Sequence, residues 1–283
     1  MRLFIHVGPH KTGTSALQAS LHKNHAALRQ RGAWYLGWEG TTNHTLLGHV
    51  FLRSEPSAPA LLNRYFDAAV AAGCDICIVS SESFSKYVFD PAPFLHAING
   101  LRATFIAYLR PPDDRLVSVF NQMVRHGRRV APIEERGNYD PTYRSNLTKW
   151  AAADGHRLVL APYDERQWPN GSILDDFLGM IAVDATGLDH SLEPVEANRS
   201  LPAGLTEVLR LANGLAMGEE MRRSLSHGLE QLAFSRPELF AKGSALDRDA
   251  RIALRRALRG SLDLWRPHFR AGFEEDFLIS EDF

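Results

Sequence analysis

Short apolar runs alternate with stretches of helical periodicity over the first part of the sequence. Buried strands are predicted at Leu3–Val7, Ile76–Val79, Thr104–Leu109 and Leu158–Leu160. Continuous apolar runs of this length, separated by amphipathic helices, are typical of parallel strands that are covered on both faces. The pattern therefore predicts an α/β fold in which helices flank a central parallel sheet.

Periodic segments between and after these strands predict the helices. One predicted helix carries Leu17, Leu21 and Leu28, a second follows the segment 111–114 and begins near Asp113, and a third covers 142–153. From 201 to 273 the pattern is mostly helical, with arginine-rich polar faces. We interpret residues 1–283 as a single domain, with an α/β core over 1–195, a helical C-terminal extension over 196–283 and a joint over 194–202.

Composition excludes several classes of protein. The 283 residues contain 32 Lys and Arg against 33 Asp and Glu, so the formal net charge is -1, and a nucleic acid polymer is not an expected partner. The 2 cysteines are too few for a disulfide-stapled scaffold. Because we find neither a signal peptide nor a run of about 18 apolar residues, we expect a cytoplasmic protein without a membrane span. The oligomeric state stays open.

The segment Gly8–Ser15, with the sequence GPHKTGTS, lies between the first strand and the first helix. Gly13 permits a tight turn, and main-chain N–H groups at the helix N-terminus can bind an anion beside the positive charge of Lys11. A Walker A motif places its lysine after the second glycine, whereas Lys11 precedes Gly13, which disfavours an ordinary ATPase or GTPase. A capped turn with an incidental lysine is the alternative. The predicted contacts are Lys11, Thr12, Gly13, Thr14 and Ser15.

A second pattern begins at Arg110. This arginine ends a predicted strand, where open α/β sheets bind ligands, and Ser118 follows eight residues later on a predicted helix. Arginine can bind a phosphate through two N–H groups, and serine can donate to a further oxygen. Arg110 and Ser118 are therefore candidate phosphate ligands. The alternative is that Arg110 is an ordinary surface arginine and Ser118 an ordinary serine on a helix surface.

Together the two motifs resemble those of the P-loop sulfotransferases, especially bacterial carbohydrate-type members. These enzymes use 3′-phosphoadenosine 5′-phosphosulfate (PAPS) as donor. The likeness covers residues 1–165 and implies a P-loop nucleoside triphosphate hydrolase-like fold, with a nucleotide-binding core over 1–195. It implies that the Gly8–Ser15 segment holds the 5′-phosphosulfate and that Arg110 and Ser118 hold the 3′-phosphate. The RKGxxG loop of the cytosolic branch is not found, so the remaining 3′-phosphate contacts stay open.

The resemblance also indicates the chemistry. Lys11 would stabilise the leaving nucleotide without a metal ion, and we expect no metal site. The general base stays open between Glu82, in Ser80-Ser81-Glu82, and His44, in a polar connection after residue 40. Glu82 could instead be a carboxylate at a helix N-terminus, and His44 a solvated loop residue. His10 could simply orient the loop. Asn198, Arg199 and Ser200 precede a predicted helix and could contact the donor's phosphates.

The sequence therefore predicts a PAPS-dependent sulfotransferase. It would transfer a sulfuryl group to a hydroxyl or amine of a small-molecule or carbohydrate acceptor, with a carbohydrate or glycolipid as the suggested class. Trp34, Tyr35 and Trp38 could line an acceptor cleft or pack in the core. Two alternatives remain. One is an ATP-dependent small-molecule kinase, and the other is a catalytically inactive nucleotide-binding protein.

Overall fold

A parallel sheet forms the centre of the structure. A computed structural model describes residues 1–133, 147–191 and 201–283, apart from residues 39, 87, 99, 241 and 242. Within these residues the strands are β1 (Arg2–His6), β2 (Ala33–Trp34), β3 (Ile76–Ser80), β4 (Ala103–Leu109) and β5 (Arg157–Pro162). They pair in parallel in the order β2-β3-β1-β4-β5. The predicted parallel sheet is confirmed.

Helices occupy most of the remaining described chain. Their bounds are α1 (Thr14–Lys23), α2 (His25–Gln30), α3 (Thr45–Leu52), α4 (Ala58–Ala71), α5 (Ala92–Ala97), α6 (Pro112–Arg125), α7 (Leu147–Ala151), α8 (Ile173–Met180), α9 (Ala203–Asn213), α10 (Glu219–Ser235), α11 (Arg248–Trp265) and α12 (Asp276–Ile279). None of these described helices is both long and apolar enough to cross a membrane. Residues 142–146 of the helix predicted over 142–153 lie outside the described residues.

Asn24 divides what the sequence predicts as one helix into α1 and α2. Its side-chain amide donates to Ser20 O at 2.9 Å and to Asp189 O at 2.8 Å. A short amide side chain that binds nearby backbone competes with helical hydrogen bonding, so the helix breaks there. Strand β2 was not predicted, because two residues are too few to show a period.

Three connections lie side by side at the carboxyl ends of the strands, because β3, β1 and β4 are neighbours in the parallel sheet. Strand β1 lies between β3 and β4, with Ile5 opposite both Val79 and Phe105. The chain therefore builds the sheet on one side of β1 through β3 and then crosses to the other side at β4. Ligands of open α/β sheets bind at the carboxyl ends of the strands where the order reverses. The segments after β1, β3 and β4 all lie at that edge.

One face of the sheet packs against α1 and α8. Phe4, Ile78 and Ile106 belong to a buried cluster that includes Leu17 of α1 and Phe177 of α8. Side chains alternate between the two faces of a strand, so the neighbouring residues of β1 face the other side. Burial of these apolar side chains is the main favourable contribution to forming this layer.

The opposite face is covered by an aromatic cluster around Trp150 of α7. Its ring lies 4.3 Å from Phe105 of β4 and 5.7 Å from Phe89, centroid to centroid. The indole N–H donates to Phe84 O at 3.1 Å, which satisfies the polar atom of a fully buried ring. Helices thus cover both faces of the sheet, as the apolar strands predict.

The chain forms two compact units. The first comprises Met1–Arg110, Asp140–Pro194 and Gly260–Phe277, and the second comprises Pro111–Tyr139, Val195–Arg259 and Leu278–Phe283. The first unit contains the whole described sheet. The predicted division at residue 195 stays a prediction.

Helices form the described part of the second unit. Its core joins Phe120 and Val124 of α6 to Leu205 and Leu209 of α9. Asn213 ties the same two helices, because its side-chain amide donates to Val124 O at 2.7 Å. The helical character predicted for the last third of the chain agrees with α9, α10 and α11.

Candidate functional site

The loop after β1 has a strained backbone at Lys11. Lys11 has a φ of 72° and Gly13 a φ of 76°, both in the left-handed region. That region costs a residue with a side chain roughly 1–2 kcal/mol, so other contacts must hold Lys11 there. Arg110, at the end of β4, supplies one of them, because its Nη1 donates to Lys11 O at 3.1 Å. The structure thus brings Lys11, Gly13 and Arg110 together at the carboxyl edge of the sheet.

Two glycines let neighbouring groups approach the loop closely. A Cβ on Gly8 would lie 2.5 Å from His6 Nε2 and 2.7 Å from Thr14 Oγ1. A Cβ on Gly13 would lie 2.5 Å from Tyr163 Cε2. Neither position has room for a side chain, so the loop backbone packs directly on its supports.

The hydroxyl groups of the loop have different surroundings. Thr12 is fully buried, and its Oγ1 donates to Pro9 O at 2.7 Å. Thr14 Oγ1 also lies within reach of Pro9 O, at 3.5 Å, whereas Ser15 is exposed. The Thr12 side chain therefore braces the loop. The N-cap residue of α1 is Gly13, which has no side chain that could accept from the first N–H groups of the helix.

Tyr163 is a neighbour of the loop that the sequence reasoning missed. It follows β5, and its backbone N–H donates to Leu109 O at 2.6 Å. The Arg110 guanidinium carbon lies 5.5 Å from the centre of its ring, a cation–π distance. Burial raises the pKa of the Tyr163 hydroxyl, against the opposing charge of Arg110. Tyr163 comes soon after the strand predicted at Leu158–Leu160, and this position near a carboxyl end could have indicated a site residue.

Glu82 lies next to the loop through His10. It begins the 3₁₀ turn Glu82–Ser85 after β3, and its Oε2 is 2.5 Å from His10 Nδ1. The side chains of His10 and Glu82 are 46% and 28% exposed, so the pair is accessible to solvent. The structure therefore brings a candidate base and a loop residue into direct contact.

His44 lies in the interior of the first unit. It is fully buried, and its Nδ1 accepts a hydrogen bond from Ser80 N at 3.1 Å. Tyr35 and Tyr65 pack edge-on against its ring, at 5.1 and 4.6 Å between centroids. Burial lowers the pKa of His44 to about 4. Its role as a base stays a prediction.

His6 lies beneath the loop, and both His6 and His44 contact Ser80, His6 at its hydroxyl group and His44 at its backbone N–H. The Nδ1 of His6 is 2.8 Å from Ser80 Oγ, and the Gln18 amide donates to the same oxygen at 3.0 Å. Burial lowers the pKa of His6 to about 4, while the charge of Glu82 acts in the opposite direction. These contacts support the ends of β1 and β3.

Three aromatic residues, Trp34, Tyr35 and Trp38, could line a cleft for the acceptor substrate, and they lie in the region of Tyr65. Tyr35 is buried and donates to Thr42 O at 2.8 Å. The Trp34 and Trp38 rings each lie 6.3 Å from the Tyr65 ring, and both are partly buried. Tyr35 is therefore a core residue, while Trp34 and Trp38 keep part of their surface in solvent.

The remaining predicted ligands fall in other parts of the chain. Ser118 is buried on α6 in the second unit, and its contact with a phosphate stays a prediction. Residues 198–200 lie outside the described residues. Within the described part of the chain, no three His, Cys, Asp or Glu side chains are placed to hold a metal ion together.

The arrangement in the first unit is suited to an anion. Lys11 and Arg110 supply positive charge, and the uncapped end of α1 supplies N–H groups and a partial positive charge. Glu82 and His10 add a pair that can exchange a proton beside this loop.

Comparison with known proteins gives little further information. No family model matches the chain, and no curated protein is similar to it. Among solved structures, a crystal structure of retinol dehydratase in complex with androsterone and the inactive cofactor PAP is similar at 12% identity. The similarity spans 92% of this chain and 80% of that chain, with a TM-score of 0.30.

Proposed function

We propose that the protein is a PAPS-dependent sulfotransferase. The observation that carries this proposal is the contact between Arg110 and Lys11 O, which holds the Arg110 guanidinium against the strained loop that carries Lys11 and precedes α1. The loop sequence and the spacing of Arg110 and Ser118 support PAPS among possible anionic ligands. The bound donor would supply an activated sulfuryl group.

The residues of the loop would act by position and charge. Lys11 and the N–H groups at the start of α1 would stabilise negative charge on the nucleotide as it leaves. Arg110 would hold both the nucleotide and the loop backbone, because one guanidinium presents several N–H donors in a fixed plane. Ser118 keeps its predicted contact with the 3′-phosphate on the sequence pattern alone.

The proton of the acceptor would leave on the Glu82 side of the loop. Glu82 touches the loop through His10, whereas His44 is fully buried and its Nδ1 already accepts from Ser80 N. A base must reach the group whose proton it takes. A carbohydrate or glycolipid stays our suggested acceptor, and the partly exposed faces of Trp34 and Trp38 could stack on an apolar ring face.

Calorimetric titration with nucleotides tests the donor assignment. The ligands are 3′-phosphoadenosine 5′-phosphate (PAP), ADP and ATP, without metal. We expect PAP to bind more tightly than ADP by about 10- to 100-fold, because charged hydrogen bonds contribute about 1.5–3 kcal/mol. Equal binding of PAP and ADP would remove the proposed 3′-phosphate site. It would favour a kinase if ATP bound with Mg²⁺.

Variants of Arg110 test the site itself. Arg110→Ala should weaken PAP binding by about 10- to 100-fold, because it removes both a phosphate ligand and the contact with Lys11 O. Arg110→Lys should recover only part, since lysine keeps the charge and loses the planar fork. Arg223→Ala removes an arginine that is 75% exposed on α10 and serves as the control. Unchanged affinity in Arg110→Ala would contradict the assignment.

A further inference from the structure

The contact between His10 and Glu82 distinguishes the two nitrogens of the imidazole. Glu82 Oε2 lies 2.5 Å from Nδ1 of His10. A carboxylate is an acceptor, so the neutral imidazole paired with it carries its proton on Nδ1 and its lone pair on Nε2. The same division of labour orients the histidine of serine hydrolase triads.

Accessibility separates the two side chains further. The His10 side chain is 46% exposed, against 28% for Glu82. Nε2 is separated from Nδ1 by one ring carbon, so its lone pair points away from the bond to Glu82. An acceptor approaching the loop would therefore find the imidazole more accessible than the carboxylate.

The backbone on the His10 side of this pair is tightly held. Lys11, the residue after His10, has a φ of 72°, and Arg110 binds its carbonyl at 3.1 Å. Strained residues that are over-determined by their surroundings cluster at functional sites. The loop therefore fixes the direction of the His10 side chain where it joins the backbone.

The backbone on the Glu82 side is held as well. Ser81 Oγ accepts from Ser83 N at 3.2 Å, and Ser85 Oγ donates to Glu82 O at 2.8 Å. Gly48 of α3 packs on this turn so closely that a Cβ there would lie 2.7 Å from Ser83 Cβ. Both partners are thus positioned by their own elements, as a preorganised pair requires.

We infer that His10 is the catalytic base and that Glu82 is a positioning residue that acts through it. This inference rests on the proposed function. As an acceptor oxygen bonds to sulfur, its proton passes to Nε2 of His10. The bond between sulfur and the phosphate oxygen breaks, and its electron pair leaves with the nucleotide. Glu82 then stabilises the positive charge on the imidazole.

The tautomer of His10 is the readout that does not need turnover. Long-range ¹H–¹⁵N spectra of the full chain, at a pH where the ring is neutral, should show the proton on Nδ1. Glu82→Leu should shift the population toward the Nε2–H form, and Glu82→Asp, which keeps a carboxylate, should restore part of the Nδ1–H signal. A wild-type ring protonated on Nε2 would overturn the inference.

Turnover of PAPS with water as the acceptor supplies the second readout. His10→Gln should slow the release of PAP by about a hundredfold or more, within the range of general base catalysis, while PAP affinity stays within about twofold. His96→Gln, which removes an exposed histidine from α5, is the control. An unchanged rate in His10→Gln together with a large loss in Glu82→Leu would make Glu82 the base.

The two hypotheses fail in different ways. If wild-type protein shows no preference for PAP over ADP, the proposed function fails whatever the tautomer. If PAP binds with the 3′-phosphate preference and the ring carries its proton on Nε2, the donor assignment stands and the role of His10 fails. If wild-type turnover in water is undetectable, the tautomer decides.

Discussion

Two separate effects disfavour a side chain at the position of Gly13. Its φ of 76° disfavours any residue with a Cβ, and that Cβ would also lie 2.5 Å from Tyr163 Cε2. Gly187 has nearly the same φ, 74°, but a Cβ there would meet no atom within 4 Å. The two positions therefore separate backbone strain from steric overlap.

Substitution by alanine at both glycines measures each contribution. Gly187→Ala should lower the free energy of unfolding by about 1–2 kcal/mol, the cost of the left-handed conformation. Gly13→Ala should cost about 1–3 kcal/mol more, because Tyr163 must move, and it should also weaken PAP binding. Urea denaturation of the two variants gives the comparison. Equal losses would show that the loop accommodates the extra carbon without displacing Tyr163.

Residue patterns anticipated some contacts at the site and missed others. The sequence motif pointed to Lys11, Gly13 and Arg110, and the structure places them together. The contact between His10 and Glu82 joins residues far apart in sequence, so no local spacing could indicate it. The burial of His44 was also hidden, because a polar neighbourhood in sequence does not reveal which rings pack over a side chain.

At the scale of elements, a buried carboxylate links α6 to α11 within the second unit. Asp113 is fully buried, and its oxygens lie 2.7 Å from Arg251 Nε and 2.8 Å from Arg255 Nε. Arg255 also donates to Ser280 O at 2.6 Å. Two arginines thus compensate the buried Asp113 near the N-terminus of α6, where a negative charge is favourable, and the partly exposed Asp114 lies 3.4 Å from Arg251 and 3.8 Å from Arg255.

Asp113→Asn should therefore destabilise the second unit. Removing the buried member of this charge cluster leaves Arg251 and Arg255 with the partly exposed Asp114 as their remaining carboxylate in the cluster, and the expected loss in free energy of unfolding is about 3–5 kcal/mol. Glu281→Gln removes a carboxylate that pairs with Arg256, whose side chain is 64% exposed, and should have a much smaller effect. Urea denaturation of both variants checks the contrast, and similar losses would contradict the importance of burial.

The elements themselves followed from local patterns to different degrees. The four apolar runs predicted their strands closely, because a parallel strand buried on both faces needs continuous apolar sequence. The strand order needed tertiary contacts, since β1 pairs with β3 and β4 rather than with its neighbour in sequence. The break between α1 and α2 depends on the bond from Asn24 to Asp189 O, which the sequence does not show.

At the scale of the whole molecule, two buried histidines should make stability depend on pH. Burial lowers the pKa of both His6 and His44 from 6.5 to about 4. Between these values the unfolded chain binds more protons than the folded chain, so stability falls as pH falls. The contribution of each histidine is complete above about pH 6.5 and is lost progressively as pH falls toward 4, at a total of about 3 kcal/mol each.

Urea denaturation at pH 7 and pH 5 tests this dependence. Each histidine should account for about 2 kcal/mol of the stability lost between the two pH values. His44→Asn keeps an acceptor for Ser80 N but does not titrate, so its loss should be smaller than that of wild type by about this amount. His6→Asn should behave alike, and the double variant should show both reductions. An undiminished loss in the double variant would mean that other groups set the acid sensitivity of the fold.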